Sequence, residues 1–69
     1  VRESAERALR RTDEVISRAR DVVEERGNAR AQAALERAMT QQARAHGEFE
    51  AGRYAVSLRL TQAARSFAV

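Results

Sequence analysis

Two glycine-centred breaks, Gly27-Asn28 and Gly52-Arg53, stand 25 positions apart in a chain of 69 residues that contains no proline. Glycine adopts the left-handed conformation that ends many helices, and asparagine caps the helix that follows. Three uninterrupted segments result. In the first, Ala5, Ala8, Leu9, Thr12, Val15, Ile16, Ala19, Val22 and Val23 recur at helical spacing, with charges filling the remaining arc. Ser4 is the expected N-cap. Glu3–Arg7, Glu6–Arg10 and Glu14–Arg18 have the acid-first i, i+4 order that supports a helix. In the second, the inner stripe is Ala31, Ala34, Leu35, Ala38, Met39, Gln42, Ala45, His46 and Phe49. Gly47 interrupts this segment, and a crowding neighbour is the expected reason for it. The pattern predicts an all-α fold, an antiparallel up-down-up three-helix bundle with helices over about 3–26, 29–50 and 53–68. It forms a single domain over residues 1–69. The opening at Val1 and the lack of a stop signal before Val69 are expected of a fragment or processed form of a longer chain.

The third segment has two apolar faces. Val56, Leu60, Ala63, Ala64 and Phe67 form the expected inner face. Tyr54 and Leu58 lie more than about 100° away, beside Arg65. One thin core does not readily cover both, so Tyr54, Leu58 and Arg65 are expected at a partner interface.

Composition sharpens that expectation. Of thirty apolar residues fifteen are alanine, which favours helices and close packing but buries little area. Chains this short commonly need disulfides, a metal or a partner. There is no cysteine and one histidine, His46, so neither a disulfide nor a recognisable metal motif is present. No cofactor motif occurs, which leaves association as the available support. No stretch has the eighteen apolar residues of a membrane span.

All thirteen basic residues are arginine. Arg30, Arg37 and Arg44 repeat every seven residues along one side of the second helix, with Gln41 beside them. They are candidates to grip a phosphate or the acidic groups of a neighbouring subunit; a solvated helix face is the plainer role. Seven Arg balance seven acids over residues 1–26, and only three aromatic residues occur, so nucleic acid is disfavoured. His46 lies four residues after Gln42, within reach of a side-chain hydrogen bond, and is expected to be structural. No nucleophile–base set, paired-carboxylate cleft or phosphate loop is present, so no catalytic residue is assigned.

Phe49-x-x-Gly52-Arg53-Tyr54, with Ala45 and Ala64 at small-residue positions, resembles the turn of one tetratricopeptide helical hairpin across residues 38–69. Arg44, Glu48 and Ser57 depart from that repeat's usual residues. The chain is also similar to the C-terminal helical segment of alanine/arginine-rich exported bacterial proteins of unknown role. These resemblances imply protein–protein contact through helix stacking and an extracellular or cell-surface setting. The expected function is therefore a non-enzymatic structural subunit, forming a homo-oligomer or filament; the alternative is a tetratricopeptide-like adaptor for a protein or peptide.

Overall fold

A computed structural model describes residues 1–68; Val69, the expected run-out of the last helix, lies outside them. Three helices form: α1 (Arg2–Arg26), α2 (Ala29–Glu50) and α3 (Tyr54–Ala68). They pack as a three-helix bundle measuring 37 × 16 × 15 Å. α2 returns alongside α1, and α3 runs parallel to α1. Leu58 lies beside Ser4 and Ala8, and ten residues later Ala68 packs near Ile16, Ala19 and Val23. At 1.5 Å per residue α3 is about 22 Å long, against about 37 Å for α1. The far end of the α1–α2 hairpin therefore projects beyond the described residues of α3.

The helix ends follow from local chemistry. α1 begins at Arg2, before Ser4, with Val1 at the N-cap position and no side-chain cap. Ser4 therefore sits within the first turn and not at the cap the sequence suggests. Asn28 does cap α2: its Oδ1 accepts from the Ala31 N–H at 2.9 Å. α2 ends in a Schellman arrangement. Arg53 N–H donates to the Glu48 carbonyl (2.9 Å), and Gly52 N–H to the Phe49 carbonyl (3.0 Å). Gly52 takes φ +85°, a conformation that needs glycine.

Gly27 has another reason to be glycine. Its φ of −61° and ψ of 141° are extended, not left-handed. It turns the chain directly into the Asn28 cap while its N–H bonds the Val23 carbonyl at 2.7 Å. A Cβ there would lie 2.6 Å from Val23 Cγ1 and closer still to the Val23 carbonyl oxygen. Gly47, by contrast, has open space where crowding was expected, since a Cβ would meet nothing within 4 Å. Opposite outcomes are expected at these two positions. Gly47→Ala should stabilise the domain by up to about 1 kcal/mol through helix propensity, raising Tm by about 4–8 °C. Gly27→Ala should cost about 1–3 kcal/mol, as overpacking does. Thermal melts followed by circular dichroism check both, and equal shifts would contradict the account of Gly27.

α3 lies in the groove between α1 and α2, and this placement revises its expected inner face. The buried line is Ser57, Thr61 and Ala64, midway between the two apolar arcs. Val56 and Leu60 on one arc, and Tyr54, Leu58 and Arg65 on the other, are all half-buried. Ala63 and Phe67, expected inside, are exposed. The physical reason is closeness: at the base of a groove between two helices only small side chains fit, and larger ones straddle its walls. The bundle itself thus serves both arcs. Tyr54 also packs edge-on against Phe49, with ring centroids 5.1 Å apart at 65°.

Candidate functional site

The largest fully buried side chains are hydroxyl residues: Thr12, Thr61 and Ser57. The buried apolar side chains are Leu9, Ile16, Leu35 and the alanines Ala5, Ala38, Ala45 and Ala64. A polar seam therefore runs where the three helices meet. Gln42 holds its centre, donating from Nε2 to the Leu9 carbonyl (3.1 Å) and to Asp13 Oδ1 (2.8 Å). Thr61 Oγ1 donates to Gln42 Oε1 at 2.7 Å. Thr12 Oγ1 donates to the Thr61 carbonyl (3.2 Å) and accepts from Arg65 Nε at 3.2 Å. Ser57 Oγ donates to the Ala45 carbonyl at 2.7 Å. Buried polar groups so paired avoid the desolvation penalty of orphaned donors and acceptors.

The seam reaches the surface at Asp13 and His46. His46 Nε2 lies 3.1 Å from both Asp13 oxygens, and the two side chains are 47% and 48% exposed. The Gln42–His46 bond allowed by the sequence spacing is not what forms. Both amide hydrogens of Gln42 go to Leu9 and Asp13, and His46 donates to the same carboxylate, which leaves the two nitrogens merely adjacent at 3.4 Å. His46 thus joins α2 to α1 through Asp13, a partner the sequence reading missed. At this exposure such a pair contributes about 0–1 kcal/mol. One imidazole nitrogen faces both carboxylate oxygens across the two helices, and among the described residues no hydroxyl is hydrogen-bonded to His46.

Arg30, Arg37 and Arg44 are all exposed along α2 and, among the described residues, form no ion pair; the pairs present are Arg10–Glu6, His46–Asp13 and Arg53–Glu48. Glu3–Arg7 and Glu14–Arg18 do not close. Gln41, beside the arginine stripe, buries its Oε1 without a partner among the described residues. Arg37 and Gln41 also line a shallow groove with Phe67. Arg65 and Leu58 lie on the α1 side of α3, and Tyr54 packs on Phe49 of α2. Leu58 and Arg65 share a cleft with Arg7 and Arg11 of α1, so the structure separates them from the α2 stripe.

Among the described residues the most apolar concavity is a notch of about 250 Å³ between the far end of the α1–α2 hairpin and the end of the described α3. Ala19, Val23, Ala31, Ala34 and Leu35 line it together with the more exposed Val22 and Phe67. Val22 is 58% and Phe67 38% exposed. Sequence reading placed both on inner faces. What it lacked was the register of α3 along the hairpin; among the described residues nothing covers these two side chains.

Among the described residues no cluster of three His, Cys, Asp or Glu is placed to hold a metal ion, and no helix is long and apolar enough to cross a membrane. Comparison with known proteins finds no family model, no curated protein and no solved structure that matches the chain.

Proposed function

We propose that this chain is a non-enzymatic structural subunit that self-associates through helix packing, with the open notch of the α1–α2 hairpin as its contact. The exposed notch carries the proposal: large apolar side chains lie outside while the centre of the bundle is filled by alanine and hydroxyl residues. A core with three large buried aliphatics gives little stability by itself, and a second copy would cover Val22 and Phe67. The patch has hollow and projecting parts together, as an isologous contact requires. Its edges also complement each other. Residues 21–26 carry Asp21, Glu24 and Glu25 against Arg26, while residues 29–38 carry Arg30 and Arg37 against Glu36. A two-fold axis between these edges sets the acidic edge of one copy against the basic edge of the other. Growth of such pairs into a filament or surface assembly needs a second, heterologous contact.

A dilution series of amide NMR spectra tests which surface associates. Amides of Val22, Val23, Ala31, Ala34 and Phe67 should shift with concentration, and those of Tyr54 and Leu58 should stay fixed. Shifts confined to Tyr54 and Leu58 would move the contact to the other side of α3.

A second reading, a tetratricopeptide-like adaptor, draws support from the Phe49–Gly52–Tyr54 turn with its Schellman closure and packed rings. On that reading the notch receives a foreign apolar helix, and the isolated chain shows no concentration-dependent shifts at all.

A further inference from the structure

We propose that the cleft between α1 and the side of α3 facing it is a binding site for a phosphate group, built from Arg7, Arg11 and Arg65. The cleft measures about 490 Å³, and none of its lining residues is acidic. Arg7 and Arg11 stand one turn apart on α1, where like charges repel, and Arg65 joins them from α3. Among the described residues none of the three pairs with a carboxylate. Glu3, the i−4 neighbour that would neutralise Arg7, does not close that pair.

Arg65 is the fixed member. Its Nε donates to the buried Thr12 hydroxyl at 3.2 Å, and its Nη2 lies 3.4 Å from the Ala8 carbonyl. These bonds tie a half-buried guanidinium to the first helix and leave its other N–H groups unassigned. A positioned arginine loses less freedom on binding than a mobile one, and its planar fork matches phosphate oxygens. Ser4 supplies a hydroxyl and Gln62 an amide within the same lining. Three cations that pair with no carboxylate among the described residues fit a dianion better than a single carboxylate. Leu58 on the wall accommodates an apolar group attached to the phosphate. The ligand class that follows is a phosphate monoester, with inorganic phosphate as its minimal form.

The cleft lies toward the N-terminal end of α1 and the notch toward its C-terminal end, so binding and self-association are separately testable. Inorganic phosphate, phenyl phosphate and benzoate should be titrated into the protein at constant low ionic strength, following the amides of Arg7, Arg11 and Gln62. Saturable shifts are expected with both phosphates, tighter for phenyl phosphate, and at least tenfold weaker with benzoate. Arg7→Gln with Arg11→Gln, both exposed changes, should weaken phosphate binding at least tenfold. Arg20→Gln with Arg59→Gln, both exposed and outside the cleft lining, removes the same charge and should change it less than twofold. Absence of saturation, equal binding of benzoate and phenyl phosphate, or equal loss in the two double variants would each overturn the proposal.

Discussion

Gln42→Leu should leave this domain only marginally stable at room temperature, although leucine is apolar and of similar volume. Gln42 joins all three helices through bonds to Leu9, Asp13 and Thr61, and net losses of about 1 kcal/mol per bond sum to about 2–4 kcal/mol. The partners recover unequally. Asp13 keeps His46 and solvent, the Leu9 carbonyl keeps its own helix, and the Thr61 hydroxyl can turn only toward the Ala8 carbonyl, at a long 3.5 Å. A core of this size supplies about 3–5 kcal/mol in all, so the loss takes most of it. Adding Thr61→Val should cost less than the two single changes together, because the second removes the group the first orphaned. Urea denaturation of the parent, both single variants and the double variant measures the coupling. A Gln42→Leu domain as stable as the parent would show the seam to be dispensable.

That seam was partly visible in the sequence. Thr12 and Gln42 fall on the apolar stripes of their helices, and the buried residues of α1 and α2 all lie on those stripes. Both breaks and every helix limit fall within about two residues of their sequence positions, because glycine and asparagine act locally. The face of α3 was not legible in the same way. Reading it by its large apolar residues picks out two arcs, whereas the line of closest approach needs the small Ser57, Thr61 and Ala64. The Asp13–His46 pair and the Arg7–Arg11–Arg65 cleft depend on how far one helix slides along another. A single sequence carries no signal for that register. The notch depends on how the described part of α3 lies along the α1–α2 hairpin, and Val22 and Phe67 are exposed there among the described residues.

Val22→Glu should separate association from folding. At 58% exposure Val22 contributes little to the single chain, and surface changes generally stay within about 0.5 kcal/mol. Helicity by circular dichroism and the unfolding midpoint of the dilute chain should therefore hold. In a paired notch the same glutamate meets an apolar floor of alanines on the partner, beside the acidic edge of its own α1. Burying that charge without a counter-ion is costly. A loss of about 1.5–3 kcal/mol corresponds to roughly tenfold to more than a hundredfold weaker association. Leu58→Glu, at the other side of α3, should leave association unchanged while lowering the stability of the single chain, since Leu58 is half-buried against α1. If Leu58→Glu abolished association and Val22→Glu spared it, the contact would lie on the Tyr54–Leu58 face instead.

A specific interface commonly takes about 800 Å² from each partner, roughly a sixth of the 4891 Å² that this chain exposes. The contact must therefore extend from the notch onto the flanking faces of α1 and α2. The most direct test of self-association is sedimentation equilibrium of the unaltered chain, from ten micromolar to millimolar concentrations. The account predicts that the weight-average mass rises with concentration from 7.7 kDa toward twice that value or beyond. A mass fixed at 7.7 kDa across the whole range would contradict it.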